Sequence, residues 1–579
     1  MLIIKLMTGL LFVFLVGCAS VQDTKVSPLK QVTDKNHTVP KDDADKTTAI
    51  SPDVMYLLLT AEIAGQRQQY GVALDGYLEA AKRANDPRIA ERAAKIGLFL
   101  KQTEKTDEAV SLWLQQDEKN LTARKLAVLS ALRGTDKSLA VEHLNVILEQ
   151  DPAGFEASLI DLTKILQKEG KADFVYDVLE ELSKQHPDQA VVYFVQSLLA
   201  GQQKDIVLAT EKVDEALRIQ PEWNKALVLR AQLAMQAGDL ALARELLETI
   251  LHKTPDNHRI RKMLAQVLLQ AEAFDEAVQL YMDVLESKPD DGESKFAIAL
   301  IYLQQKKEDD ALVYLKELIN RPEWSMQASF YIGRIEYKKE HYETAVVWFD
   351  KVTQGPFEYD AAMAAVSVLL TQKDYAGVEQ RLQLISAKFP KERLNTLLLR
   401  AEVYNEQKDY QKAFDLLSDA LGNAPEHRDL LYSRALIAEK LDRLDVLEAD
   451  LKIIIQKRPD DAGALNALGY TLVDRTERYQ EAEVYLQQAI KLKPDEAVII
   501  DSMGWLRFKQ GNTDEALKYL RLAYEKQPES EVAAHLAEVL WVTGKKDEAR
   551  RVFELAIIKS PDDEYLLRFK QQFLDLNNE

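Results

Sequence analysis

The chain has 579 residues, 47% of them hydrophobic, and a net charge of −20 at pH 7. That charge argues against nucleic-acid binding, which needs clustered lysine and arginine. Cys18 is the single cysteine, so no internal disulfide can form, and the eight histidines show no metal-ligand spacing. The sequence therefore predicts no cofactor and no metal site.

Residues 1–17 are predicted to be a lipoprotein signal peptide. Lys5 precedes the uncharged apolar run Leu6–Val16, which is shorter than the roughly 20 residues that span a bilayer. The run ends in Leu15–Cys18 (LVGC), which resembles the bacterial lipobox. The resemblance implies that the chain is cut before Cys18 and that acyl chains such as palmitate are attached there, which anchors the protein stably. The alternative is an ordinary signal peptide with an accidental cysteine.

Residues 18–50 are predicted to be a disordered tether that begins at the lipidated cysteine. They show no sustained helical period and few large apolar residues. Ala19 stands where an aspartate marks inner-membrane retention in many Gram-negative bacteria. By that resemblance we expect an outer-membrane anchor, with the folded body facing the periplasm.

From Ser51 onward one pattern recurs with a period of 33 to 35 residues. Pro87 is followed, after one gap of 65 residues, by prolines at that spacing from Pro152 to Pro561. A second ladder of alanines runs in phase, and Ala516, for example, precedes Pro528 by twelve residues. Two ladders with one period indicate a repeat protein.

The pattern resembles the tetratricopeptide repeat, a pair of antiparallel helices. Residues 497–528 carry it most clearly, with Gly504 in the first helix and Ala516 and Leu520 in the second. The small residues let the two helices approach, and proline ends the second helix. Turns between the helices contain glycine, as at Gly511, or lack it, as at Lys373 and Lys408.

The predicted fold is therefore an all-α solenoid of about 15 helix-turn-helix repeats over residues 51–561. We expect the repeats to form a superhelix, with residues 562–579 as a C-terminal capping helix. The repeats at 120–187, 357–390 and 426–459 are degenerate copies of the pattern. The predicted repeats are 54–87, 88–119, 120–152, 153–187, 188–221, 222–255, 256–289, 290–322, 323–356, 357–390, 391–425, 426–459, 460–494, 495–528 and 529–561.

Resemblance to tetratricopeptide proteins implies that the first helices line a concave wall that receives proteins or extended peptides. An aromatic and acidic strip at the binding positions of the last three repeats is the candidate partner site. The alternative is that these rings pack against adjacent helices within the array. The strip consists of Asn466, Tyr470, Asp501, Trp505, Phe508, Glu538 and Trp541.

A second, basic strip is formed by Arg259 and Lys262, with Arg230 nearby. It resembles the carboxylate clamp of some family members but lacks the clamp's asparagine–lysine pattern. Ordinary solvated charges are the alternative interpretation.

The whole layout resembles a narrower group, the proteobacterial outer-membrane tetratricopeptide lipoproteins. The similarity is carried by Asp86–Ala93, Asn466–Arg475, Asp501–Trp505 and Ala534–Trp541. Some of these lipoproteins are adaptors that bring cell-wall hydrolases to a periplasmic carboxyl-terminal processing protease. The resemblance implies the same partners here.

An enzyme, an assembly factor and a self-associating scaffold are the three alternative functions. No catalytic residues and no enzyme are predicted, since phosphate-loop, serine-hydrolase and zinc-protease motifs do not occur in the sequence. An assembly factor for an outer-membrane pilus, secretion or polysaccharide-export machine is the alternative binding role. A self-associating scaffold is the third.

Overall fold

The computed structural model describes residues 51–575. Within that range the chain forms thirty-one α-helices and no β-strand. Helices α1 to α30 make fifteen successive pairs, so the predicted all-α solenoid of about 15 repeats is confirmed. The predicted signal peptide, Cys18 and the tether lie outside the described residues, as do the last four residues of the predicted capping helix.

The helices divide into two compact units, Met1–Leu318 and Ile319–Glu579. In both units, odd-numbered helices are the first of a pair and even-numbered helices the second. The described part of the N-terminal unit contains α1 Pro52–Gln66, α2 Tyr70–Arg83, α3 Pro87–Leu100, α4 Thr103–Gln116, α5 Leu121–Arg133, α6 Lys137–Gln150, α7 Pro152–Lys168, α8 Ala172–Gln185, α9 Ala190–Gln202, α10 Ile206–Ile219, α11 Asn224–Ala237, α12 Leu240–Lys253, α13 His258–Gln270, α14 Phe274–Ser287, α15 Gly292–Gln304 and α16 Glu308–Leu318.

The C-terminal unit continues the same alternation and ends in a short helix outside the pairs. It contains α17 Ser325–Lys338, α18 Tyr342–Asp350, α19 Glu358–Thr371, α20 Tyr375–Lys388, a 3₁₀ turn Pro390–Glu392, α21 Arg393–Glu406, α22 Tyr410–Asn423, α23 Arg428–Lys440, α24 Leu444–Lys457, α25 Ala462–Arg475, α26 Tyr479–Leu492, α27 Ala497–Lys509, α28 Thr513–Lys526, α29 Ser530–Val542, α30 Lys546–Lys559, α31 Glu564–Phe569 and a π-helix Lys570–Asp575.

The repeat that lacks its proline still folds as a helix pair. Where the proline is missing, Asn120 precedes α5 and its side chain accepts a hydrogen bond from the Ala123 backbone N–H at 3.1 Å. This N-cap bond satisfies one of the free amides that begin every helix. The first helix of this repeat therefore begins at an N-cap although the ladder proline is missing.

The turn inside every pair except α25–α26 is closed by one residue in the left-handed region. Gly511 adopts it with φ 86°, as predicted, and the next amide, of Asn512, donates to the Arg507 carbonyl at 2.8 Å. Lys373 (φ 57°) and Lys408 (φ 60°) occupy the equivalent place without glycine. The turn geometry is kept there because the same closing hydrogen bond forms, from Asp409 N–H to the Tyr404 carbonyl at 2.8 Å.

The two helices of a pair meet at a small residue. A methyl group added to Gly504 would lie 2.7 Å from Cγ of Leu520, a fully buried residue of the partner helix. At Gly333 the same methyl would lie 2.7 Å from the Phe349 ring. Each small residue is thus matched by a large one opposite it, which is how protein interiors reach close packing.

We predict that Gly504→Ala destabilises the C-terminal unit. The extra methyl group has no room beside Leu520, and such overpacking costs about 1–3 kcal/mol. Thermal unfolding followed by circular dichroism measures the loss. Gly422→Ala is the matched control, because nothing lies within 4 Å of its new methyl group, and it should leave the melting temperature unchanged or slightly raised. Equal melting of both variants would contradict the tight seam.

Candidate functional site

The first helices of the last repeats face the inside of a curve. The Tyr470 hydroxyl of α25 donates to Glu531 Oε1 of α29 at 2.6 Å, although a whole repeat lies between them. Lys440 Nζ, at the end of α23, contacts Glu564 Oε1 of α31 at 2.5 Å across 124 residues of sequence. Contacts that skip repeats can form only where the first helices converge. We call this surface of α23, α25, α27 and α29 the inner face.

All seven predicted partner-binding residues belong to the first helices that form the inner face, but most of them are buried. The exposed fractions are 1% for Trp505, 3% for Asp501, 7% for Trp541 and 9% for Asn466. Tyr470, Phe508 and Glu538 are half-buried. Their geometry therefore agrees with packing inside the array, the alternative interpretation of the sequence. Partner binding by these seven residues stays a prediction.

Trp505 is the centre of the packing on the inner face. Its indole Nε1 donates to Asp474 Oδ1 of the preceding repeat at 3.1 Å. On one side its ring stacks on the His535 imidazole of the following repeat, with centroids 4.1 Å apart and planes 17° apart. Lys509 Nζ lies 4.6 Å from the ring centroid, within reach of a cation–π interaction. One side chain thus links three successive repeats.

His535 was not among the predicted site residues. It nevertheless contacts three of them, Tyr470, Asp501 and Trp505. Its Nδ1 is 2.8 Å from Asp501 Oδ2, and its Nε2 is 3.4 Å from the Tyr470 hydroxyl. Burial disfavours its charged form, but the neighbouring carboxylates, Asp501 first, outweigh that effect and raise the pKa of His535. The imidazole therefore lies in an acidic surrounding.

Two further carboxyl groups of the inner face are held partly out of water. Burial raises the pKa of Glu439 on α23, and the nearby Glu531 and Asp474 add to the effect. Burial also raises the pKa of Glu538 on α29, against the opposing charges of Lys509 and other cations. Burial therefore favours the neutral form of both carboxyl groups.

Acceptor oxygens remain unused among these groups. Oδ1 of Asn466 and Oδ1 of Asp501 are buried and receive no hydrogen bond from the protein. Such acceptors are costly to bury unless a donor reaches them. They stand at equivalent positions of successive first helices, α25 and α27.

The C-terminal helix α31 closes the inner face. The Tyr565 ring lies 6.2 Å from His535, and burial together with Glu531 raises the pKa of Tyr565. The Phe569 ring meets Trp541 edge to face at 6.1 Å. Predicted site residues therefore already contact a helix, and that helix belongs to the chain itself.

Two of the three cations in the basic strip of the N-terminal unit, Lys262 and Arg230, form ion pairs. Lys262 Nζ lies 3.3 Å from Asp291 Oδ2 and also contacts Glu293. Arg230 Nε donates to Asp214 at 2.7 Å. The described structure therefore gives no support to a carboxylate clamp here, because these cations already have acidic partners within the chain.

Within residues 51–575, no group of histidine, cysteine, aspartate or glutamate side chains is arranged to hold a metal ion. No helix in that range has the length and apolar character needed to cross a membrane.

Comparison with known proteins gives the family. Tetratricopeptide repeat models match residues 228–292, 274–323, 462–496 and 507–573. The TPR repeat-containing protein PA4667 of Pseudomonas aeruginosa is 36% identical over 517 residues, covering 85% of this chain and 83% of that protein. The chain belongs to the tetratricopeptide repeat (TPR) family. As a TPR protein, it is a scaffold for protein–protein interactions.

Two further TPR proteins are similar over parts of the chain. The TPR repeat-containing protein YpiA of Bacillus subtilis is 26% identical over 200 residues, covering 32% of this chain and 47% of that protein. The crystal structure of TTC0263, a thermophilic TPR protein of Thermus thermophilus, aligns with 31% of this chain and 97% of its own, at 23% identity and a TM-score of 0.29.

We predict that the C-terminal unit loses stability as pH rises from 5.5 to 8. Glu439, Glu538 and His535 all have raised pKa values in the folded chain. Folding therefore binds protons, and the stability present at low pH is lost as pH rises through the folded pKa values. The expected drop in melting temperature is on the order of a few degrees.

Differential scanning calorimetry at several pH values measures this slope. Substituting Glu439→Gln together with Glu538→Gln should flatten it, because two of the three titrating groups are removed. Glu448→Gln is the control, since Arg478 and Lys452 lower the pKa of Glu448 to about 2. That group stays ionised throughout the range, so the control should keep the wild-type slope. Stability that is independent of pH in the wild-type chain would contradict the assignment.

Proposed function

We propose that this TPR protein is an outer-membrane lipoprotein that acts in the periplasm as an adaptor. Its partners are a carboxyl-terminal processing protease and the cell-wall hydrolases that the protease degrades. The proposal is supported by the lipobox-like Leu15–Cys18, by the resemblance to adaptor lipoproteins, and by membership of the TPR family. No catalytic role is assigned to the chain.

The observation that carries the adaptor role is the division into two compact units. Each unit holds a run of helix pairs with its own core, in Met1–Leu318 and Ile319–Glu579. An adaptor has to hold two different proteins at once, and two repeat units supply two separate sets of first helices. A single docking task would need far fewer repeats than fifteen.

Within this proposal the inner face of the C-terminal unit is one partner site. It combines aromatic rings with carboxyl groups, and TPR first helices are the usual place where a partner helix or peptide binds. Tyr470, Phe508 and Glu538 offer the accessible surface, because they are half-buried. That surface is supported by four buried residues beneath it, Trp505, Trp541, Asp501 and Asn466.

Affinity capture of the intact lipoprotein from crosslinked cell envelopes tests the adaptor role. Mass spectrometry should recover a processing protease together with wall hydrolases. Glu538→Lys reverses a charge on the inner face and should reduce recovery of one of the two partners severalfold while the other is kept. Val207→Lys is the matched control, because Val207 is exposed on α10, a second helix of the other unit. Recovery of pilus, secretion or export components instead would move the function to assembly.

The anchor has its own test. We predict that Cys18→Ser abolishes incorporation of labelled palmitate, because the serine hydroxyl replaces the thiol that the lipobox chemistry requires. The unlipidated protein should move from the outer-membrane fraction to the soluble or inner-membrane fraction, with its circular dichroism unchanged. Wild-type chain found in the inner membrane would contradict the sorting expected from Ala19.

A further inference from the structure

The last helix of the chain does not continue the repeat pattern. In the preceding repeats of the C-terminal unit, each first helix contacts the second helix of the repeat before it more than the first helix of that repeat. Helix α31 packs instead chiefly on α29, the first helix of the last repeat, and little on α30. Helix α31 therefore lies on the inner face, and not where the first helix of a further repeat would lie.

The contacts of α31 follow one side of the segment at a spacing of about four residues. Glu564 pairs with Lys440 at 2.5 Å. Tyr565 lies beside His535, and Phe569 is buried against Trp541 and Phe553, with ring centroids 6.1 and 5.4 Å apart. Phe573, four residues further on, lies 6.3 Å from Trp541. The three aromatic residues share one face of a helix, so the segment is an amphipathic helix packed on the inner face.

The segment formed by Glu564–Phe569 and Lys570–Asp575 is also only weakly stabilised. The α-helical part has six residues and continues as a π-helix over Lys570–Asp575. Helices this short are unstable without packing, and π-helical turns are rare. Among these twelve residues only Leu566 and Phe569 are fully buried. Terminal elements with few buried groups open locally without global unfolding.

We propose that the inner face of the last four repeats is a docking site for an amphipathic helix of a partner protein, and that α31 occupies this site until the partner displaces it. Because α31 occupies the site, its side chains indicate what the partner presents. The partner segment is a helix with an acidic residue followed by aromatic residues four apart, as in Glu564, Tyr565, Phe569 and Phe573. The inference rests on the proposed function, because it names the kind of segment that the adaptor's partner presents.

The test uses the full-length chain and a fluorescein-labelled peptide with the sequence of residues 560–579. Anisotropy should show weak binding to the wild-type chain, whose site is already occupied. Phe569→Ala in the chain removes the main buried ring of α31 and leaves its place empty for the peptide's phenylalanine. The peptide should then bind at least tenfold more tightly. Leu567→Ala is the matched control, because Leu567 is exposed on the same helix, and it should keep the wild-type affinity.

A charge exchange tests the register of the bound helix. Combined with Phe569→Ala, Lys440→Glu should weaken binding of the wild-type peptide several-fold, and a peptide carrying Glu564→Lys should restore it. Circular dichroism and melting of each variant confirm that the array remains folded.

Three results would overturn the proposal. The first is a peptide that binds none of the folded variants. The second is equal binding to the wild-type, Leu567→Ala and Phe569→Ala chains. The third is a doubled mass of the wild-type chain in light scattering that Phe569→Ala abolishes, since two copies would then be exchanging their C-terminal helices. Each result is independent of which proteins the envelope capture recovers, so failure of this inference is distinguishable from failure of the adaptor role.

Discussion

The close approach of two helices at a small residue is the constraint on which the rest of the structure depends. Gly504 faces Leu520, Gly469 faces Leu486 and Gly333 faces Phe349, each with no room for one more methyl group. Because the helices of a pair cannot separate or slide, each pair is a rigid unit with one exposed apolar side. Stacking buries that side against the next pair, and the repetition of one step produces a curve. The inner face exists because this step is nearly constant.

Much of the fold follows from the sequence, because the prolines and alanines recur with the same period as the helix pairs. They place the boundaries of fifteen helix pairs, and even Lys373 and Lys408 were recognised as turns without glycine. Asn120 shows the limit of such reasoning. No ladder proline marks the boundary there, and the start of α5 is shown by the N-cap bond that Asn120 accepts. The pair was predicted from its length alone.

The candidate site was predictable only in part. Periodicity assigns Asn466, Tyr470, Asp501 and Trp505 to first helices, and the structure puts them on the inner face. Their burial depends on contacts across whole repeats, such as Tyr470 with Glu531, and these depend on curvature that a linear pattern does not contain. His535 was missed for a related reason. Ala467 and Ser502 occupy its place in the two preceding repeats, so a large polar ring among small residues was the one available signal.

The contacts that skip repeats have a mechanical consequence. A stack held only by neighbours is elastic, because small changes at each interface add up to a large bend. Tyr470 with Glu531 and Lys440 with Glu564 connect helices two and four repeats apart, and they oppose bending in the last four repeats. The contact that spans more repeats, between Lys440 and Glu564, ends on α31. Release of that helix would therefore change the stiffness of the array as well as open its inner face.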